Sequence, residues 1–467
     1  MKAVNSLTQT GDIKDHYDVI VAGAGSGGIS AAIQAARMGA ETLLIEPTNT
    51  IGGQLMTVPT MDEGHVESQG YPIRNVGLYA EFLERVHKVY RRKGKSVGTC
   101  YWRGNSVGFE PRTAENVLKA MLFKESCLTV IVETKIKQVT TEGTKVVGIV
   151  TSNHKNIRCK ILIDATEYGD IIPLTPARYR VGKTTNEEID PDACLQDITY
   201  PAVVQKYPGG APDRLIIDQA PPKYEEYQAQ FNATINLHGC DWYPSSDGEQ
   251  GSSFGKYPTN WITHNAYRGI PDSNSPVDYS AEVSQAEKIS KTIINWANDY
   301  PVNVSYLENP TQRELDNWQA KLKTLNFIYY LQQELGNEWA VAEGEYKSPK
   351  EPCPALLARY HEILSNFPPY PYVRESRRII PIRTLTGADI KRTGSPPNQK
   401  KDLLIPRLWV ITLPISTAVK KTPPSTYHWK TTPIFPKVSA VGLFKFPLKR
   451  LSRKKLMGSW QPKKTLG

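Results

Sequence analysis

Residues 17–46 set a short apolar strand, a glycine turn, a helix and a second strand in immediate succession, an order that few folds accommodate. YDVIVAG (17–23) is a run of β-formers ending in glycine. ISAAIQAARMG (29–39) is alanine-rich with apolar residues at helical spacing and Gly39 at its end, and ETLLIE (41–46) is again a strand. The three form a βαβ unit. Its turn, Gly23-Ala24-Gly25-Ser26-Gly27-Gly28, supplies G-x-G-x-x-G between strand and helix, the context in which that pattern carries chemical meaning. Gly23 permits the tight turn, Gly25 lets the backbone approach a pyrophosphate, and Gly28 allows close packing of helix on strand. The helix N-terminus adds free N–H groups and a partial positive charge. Glu46 ends the second strand, 21 residues after Gly25, where a carboxylate accepts hydrogen bonds from ribose hydroxyls and disfavours a 2′-phosphate. A structural turn accounts for the glycines alone; strand, helix and Glu46 in register point to a bound dinucleotide.

Three further features favour FAD over NAD. The unit lies at the N-terminus, Gly52-Gly53 follows Glu46 by six residues, and a later buried strand ends in Asp164-Ala165-Thr166-Glu167-Tyr168-Gly169-Asp170. The glycine pair lets the chain pass close to a diphosphate or flavin, an ordinary loop being the alternative, and the small Ala165–Thr166 turn can pack beside the nucleotide. The residues expected to line the cofactor are Gly23, Gly25, Ser26, Gly27, Gly28, Glu46 and Pro47 in the first unit. Gly52, Gly53 and Gln54 join them from the next loop, and Ala165 and Thr166 from the later turn.

The expected fold class is α/β: a Rossmann-like FAD-binding domain over 15–180 with a β-meander and a helical insertion at about 60–108, then a mixed α+β substrate-side domain over 181–390. Residues 75–93 place Leu78, Phe82, Val86 and Val89 on one helical face, and Glu110-Pro111 opens a second helix running to Leu122. TVIVET, KIKQVTT, KVVGIVTSN and RCKILIDAT (129–166) alternate apolar and polar residues, with TEGT as a turn, and read as the meander. WQAKLKTLNFIYYLQQELG (318–336) is again helical in spacing.

Composition narrows the function classes. Cysteines 100, 127, 159, 194, 240 and 353 are spread too widely for a zinc ribbon or a locally wired iron–sulfur centre, so no metal is expected and they read as reduced core thiols. The first 16 residues lack an apolar signal core and no run of about 18 apolar residues occurs, so a cytoplasmic chain without membrane contact is expected. The net charge of +10 is concentrated. From Lys391 onward lie 17 of the 57 basic residues and one of the 47 acidic ones, leaving a body at −6 and a tail at +16. That tail lacks the fold or module that accompanies a nucleic-acid face, so no nucleic-acid partner is expected.

GAGSGG, IE and IGGQ, then DATEYGD, YLQQELG (330–336) and PYVRESRRI (371–379) together resemble the FAD-dependent oxidoreductases related to the A polypeptide of heterodisulfide reductase, some of whose members are called xanthan lyases. The resemblance covers about 15–390. It implies a flavin bound by the matching glycines and Glu46, and transfer of hydride or electrons between a small-molecule substrate and that flavin, with a separate electron acceptor. Iron–sulfur clusters are not carried over, because the closely spaced cysteines of cluster-bearing members are missing. Arg374, Glu375, Arg377 and Arg378 are candidates to face the flavin, Arg374 foremost, with a structural ion-pair network as the alternative. His65 is a second catalytic candidate, with a plain polar loop residue as its alternative. Two rival functions stay open: a non-catalytic remnant that holds FAD weakly or not at all, and an NAD-linked dehydrogenase.

The last segment departs from the family. Members continue with stretches resembling VGDYP.DLHGC and QIPL.ALIPKKVDGLLAAEKN, where this chain has LWVITLPISTAV (408–419) and LFKFPLKRLSRKKLMGSWQPKKTLG (443–467). Joining the third base of each codon to the first two of the next, with wobble bases chosen freely, recovers both stretches. The junctions without choice agree as well: Trp409/Val410 gives Gly, Met457/Gly458 gives Gly and Trp460/Gln461 gives Ala. A frameshift near 391–402 is therefore expected, with residues 391–467 an irregular tail. A misread frame need neither balance charge nor alternate apolar and polar residues.

Overall fold

The computed structural model describes residues 12–61, 77–100, 103–183, 187–234, 268–273, 275, 289–295, 297–347 and 353–381. Strand β1 (His16–Ala22), helix α1 (Ser26–Arg37) and strand β2 (Thr42–Ile45) form the expected βαβ unit. They belong to a six-stranded sheet. In order it contains β6 (Leu128–Ile131), β2, β1, β9 (Asn156–Asp164), β8 (Lys145–Thr151) and β7 (Ile136–Glu142). The first four strands run parallel; β8 pairs antiparallel with β9, and β7 antiparallel with β8. Parallel strands are covered on both faces, which explains the uninterrupted apolar runs. A short helix, α2 (Gln54–Thr57), follows the glycine pair after β2. Val19, Val21 and Leu44 join the core beneath α1 and α4 (Pro111–Leu122), while Ile20, Ala22, Leu43 and Ile45 join a second core on the opposite face.

TVIVET departs from the expected meander. It supplies β6, which pairs in parallel with β2 at the sheet edge, and only β7, β8 and β9 make the meander. Helix α3 (Gly77–Arg92) buries Phe82, Leu83, Val86 and Tyr90, a face rotated slightly from the one read off the spacing. Around it, β3 (Thr60–Met61), β4 (Gly98–Cys100) and β5 (Arg103–Gly108) form a small antiparallel sheet. Pro111 sits at the first turn of α4, where its missing N–H costs no hydrogen bond.

The later residues add two-stranded pairings of β10 (Tyr179–Arg180) with β16 (Arg378–Ile379) and of β11 (Ile198–Thr199) with β14 (Asp299–Tyr300). An antiparallel sheet has β12 (Ala202–Lys206) at its centre, flanked by β13 (Lys291–Ile294) and β15 (Trp339–Val341). This sheet is the wall between the two halves. Ala202, Val204 and Ile294 pack into the later core, and Val203 and Ile293, one residue along each strand, into the core of the first unit. A helix at Pro310–Leu335 runs through the later core. Asn309 caps it by accepting from the N–H groups of Thr311 and Gln312, and Gly336, at φ +82, ends it.

Among the described residues no helix is long and apolar enough to cross a membrane, and no group of three or more His, Cys, Asp and Glu side chains is placed to hold a metal ion. Residues 391–467 lie outside the described residues.

Candidate functional site

The carboxyl ends of β1, β2 and β9 converge, which is where open parallel sheets bind nucleotides. Three backbone bonds lock the junction: Gly23 N–H donates to the Ile45 carbonyl at 2.8 Å, Ala165 N–H to Ala22 at 2.8 Å, and Gly52 N–H to Ala24 at 2.9 Å. Gly23 has φ +94, and a Cβ there would lie 2.5 Å from the Ala165 carbonyl oxygen. At Gly28 a Cβ would meet the Gly23 carbonyl oxygen at 1.9 Å, so only glycine lets α1 sit this close to the turn. The Gly27 position, in contrast, faces open space, and Ser26 and Gly27 leave the first turn of α1 exposed. The first N–H groups of a helix have no internal partner and attract anions.

Gly52-Gly53 does not wander off as an ordinary loop. A Cβ on Gly53, whose φ is +53, would lie 2.6 Å from the Gly25 Cα, so the two glycine segments touch backbone to backbone with no room for a side chain between them. Gln54 anchors the pair by donating from Nε2 to the Val373 carbonyl at 2.6 Å.

Glu46 is buried at the end of β2. One carboxylate oxygen accepts from Ala24 N–H at 2.8 Å, inside the glycine turn; the other accepts from the N–H and hydroxyl of Thr48 at 2.9 and 2.7 Å. A carboxylate offers about four acceptor positions, so about one is left for a further donor. Burial raises its proton affinity, opposed by these three bonds. Pro47, next to it, is exposed.

The Ala165–Thr166 turn packs on the glycine turn itself. Its shape comes from Asp164, whose carboxylate accepts from Thr166 N–H and hydroxyl and from the N–H groups of Ile171 and Ile172. Immediately afterwards, the Glu167 carboxyl lies against the junction of Gly25 and Gly53. Its Oε1 lies 2.9 Å and 2.5 Å from where Cβ atoms on those glycines would be. Burial and the neighbouring Glu46 carboxylate push Glu167 up to about 7. Tyr370 closes the same region near Glu46 and Glu167; its buried hydroxyl oxygen faces the Gly53 N–H at less than full hydrogen-bond geometry, and its O–H finds no acceptor among the described residues. Thr48, Glu167 and Tyr370 escaped the sequence reading. Thr48 is detectable as a threonine two residues after the acid, and Glu167 as part of the quoted turn, whereas Tyr370 is over 300 residues from the glycines it meets.

The arginine cluster is taken up by protein partners. Arg374 donates to the Asp197 carbonyl at 2.5 Å and pairs with Asp299 at 2.9 Å, and Arg377 pairs with Asp170 and Glu308, each at 2.8 Å. Arg378 pairs with Glu375, which also accepts from Gln196 N–H. This is the ion-pair network weighed as the alternative, and it fastens the 371–379 segment to both halves. His65 lies outside the described residues.

These features fit a dinucleotide. Backbone that a Cβ at Gly23, Gly28 or Gly53 would obstruct, an acidic acceptor at the second strand and a phenol O–H without an acceptor among the described residues border one site, and such buried polar atoms are ordinarily satisfied. Over 146 residues the chain is 30% identical to the tRNA uridine 5-carboxymethylaminomethyl modification enzyme MnmG of Dichelobacter nodosus (strain VCS1703A), a match covering 30% of this chain and 22% of that protein. Among solved structures, L-amino acid deaminase from Proteus vulgaris with its specific insertion sequence deleted is 15% identical at a TM-score of 0.28, covering 43% of this chain and 63% of that one. L-proline dehydrogenase from P. horikoshii is 14% identical at 0.29, covering 42% and 62%. The chain thus spans less than two thirds of each of these relatives. The family model described as FAD dependent oxidoreductase matches residues 18–402, most of the chain. The chain belongs to the FAD-dependent oxidoreductase family.

Proposed function

We propose that this chain binds FAD at the carboxyl ends of β1, β2 and β9 and uses it to move hydride or electrons between a small-molecule substrate and a separate acceptor. The supporting observation is the side-chain-free junction of Gly25 and Gly53 beside the glycine turn, bordered by Glu46, Glu167 and the buried Tyr370 hydroxyl. The first turn of α1 would face the diphosphate, and the remaining acceptor position of Glu46 would take a ribose hydroxyl. Gly52 and Gly53 would bring backbone against the cofactor. FAD supplies the two-electron chemistry when bound, so the protein's part is to bind, orient and exclude water. Within the family, the DATEYGD and PYVRESRRI motifs favour a position among the relatives of the heterodisulfide reductase A polypeptide.

The test is direct. The purified chain should show the blue and near-ultraviolet bands of oxidised flavin, and chromatography after denaturation should release FAD. A released NAD, or a Gly25→Val variant that retains as much flavin as the parent, would count against the assignment.

The charge distribution favours a second reading of the final segment. With 17 basic residues and one acidic residue after position 390, and with a shifted frame that restores the family's motifs, we propose that this part is translated out of frame and that flavin is held weakly in consequence. Expressing the chain beside a frame-restored version and comparing flavin per protein separates the two readings. Equal, stoichiometric flavin in both would remove the second.

A further inference from the structure

We propose that Glu167 is a residue of the dinucleotide site that acts in its protonated form, donating a hydrogen bond to the diphosphate, so that FAD binding takes up one proton. The inference rests on the reading that the site bordered by the Gly25–Gly53 junction holds FAD.

The geometry is specific. Glu167 Oε1 projects between two backbones that approach so closely that a Cβ on Gly53 would lie 2.6 Å from the Gly25 Cα and 2.5 Å from Oε1 itself. A phosphate drawn to the amides of the glycine turn must come within contact of this carboxyl. Among the described residues no ion pair or hydrogen bond engages Glu167. The titratable groups that face it are the Glu46 carboxylate from β2, the Tyr370 phenol from the segment before Val373, and Tyr168 beside it on its own loop; Glu115 of α4 lies beyond, near Tyr370. All of them are acids. An ionised Glu167 would therefore add a further negative charge next to Glu46 and a dianionic diphosphate, at short range and in a half-buried position. A neutral Glu167 instead presents an O–H to a charged acceptor, a short and strong type of hydrogen bond. The free protein already leans towards the neutral form, for burial and Glu46 push Glu167 up to about 7, and a bound dianion pushes further in the same direction. Thermodynamic linkage then couples the proton to the ligand.

The experiment titrates the flavin-free full chain with FAD, following quenching of flavin fluorescence from about pH 6 to about pH 9. It is paired with calorimetry in two buffers of different ionisation enthalpy, which counts protons. For the parent, affinity should fall about tenfold per pH unit above about 7, with close to one proton taken up. Glu167→Gln keeps the shape and a fixed donor, and its affinity should be nearly independent of pH with no proton taken up. Glu167→Ala, folded by circular dichroism, should likewise lose the pH dependence. Parallel slopes in parent and Glu167→Gln, or no proton uptake by the parent, would overturn the proposal while leaving FAD binding intact. Failure of every form to bind FAD at any pH would overturn both the proposal and the reading on which it rests.

Discussion

Replacing Tyr370 with phenylalanine should change stability and cofactor affinity in opposite directions. In the free protein the Tyr370 hydroxyl is buried beside Glu46 and Glu167, its oxygen facing the Gly53 N–H at less than full hydrogen-bond geometry and its O–H without an acceptor among the described residues. A buried unsatisfied hydroxyl costs about 1–3 kcal/mol, and Tyr370→Phe removes it while keeping the ring. The flavin-free variant should therefore be more stable by about 1 kcal/mol or more, raising the melting temperature by about 2–4 °C per kcal/mol for a unit of this size. With FAD present the same hydroxyl gains a partner, and one hydrogen bond is worth about 0.5–1.5 kcal/mol net. Affinity should then weaken about two- to thirteen-fold. The assay is differential scanning fluorimetry of both proteins stripped of flavin, followed by titration with FAD. If Tyr370→Phe melts lower than the parent when flavin-free, the hydroxyl is paired inside the protein and the argument fails. Unchanged FAD affinity would refute its place at the cofactor.

Three further expectations follow from the same geometry. Gly28→Ala places a methyl 1.9 Å from the Gly23 carbonyl oxygen, a backbone atom that cannot swing aside, and should cost about 1–3 kcal/mol in urea unfolding. Gly27→Ala meets nothing within 4 Å and should be neutral or slightly stabilising. Lys291 is fully buried in ion pairs with Glu110, Asp272 and Glu345, so Lys291→Met removes the cation these three acids share and should destabilise by about 3–5 kcal/mol near neutral pH; a loss below about 1 kcal/mol would show that the acids are already neutral. Glu167 binds its proton more tightly folded than unfolded, so the stability it contributes is fully present below about pH 4.5 and is lost as pH rises to about 7. The gap is worth on the order of 3 kcal/mol, and flavin-free Glu167→Gln should overtake the parent across that window. Denaturation curves that keep a constant offset between the two proteins from about pH 4 to about pH 8 would contradict the shift.

Local chemistry made much of the first unit legible. The β-formers ending at Gly23, the alanine-rich helix and Glu46 are consecutive, so hydrophobic period and glycine conformation alone place them, and Pro111 marks the start of α4 for the same reason. The β-meander was legible wherever strands are joined by short turns. TVIVET was misplaced because a strand's own residues do not state its neighbour: β6 pairs with β2, more than 80 residues earlier in the chain. The arginine cluster shows the same limit. Its charges are visible in the sequence, but their partners Asp170, Asp299 and Glu308 come from other elements, and only folding turns a candidate flavin-facing group into a brace between the halves.

A glycine turn, a helix N-terminus and an acid meet at the carboxyl end of two parallel strands because all three lie within one βαβ unit, whose geometry is local and readable along the chain. What closes that site emerges only when distant segments fold together. Tyr370 reaches Gly53 from over 300 residues away, the Gly52-Gly53 backbone presses against Gly25, and Glu167 lies against their junction with no cation partner among the described residues. The proton affinity of that carboxyl depends on burial and on the neighbouring Glu46, quantities that exist only once distant segments have packed and water has been displaced.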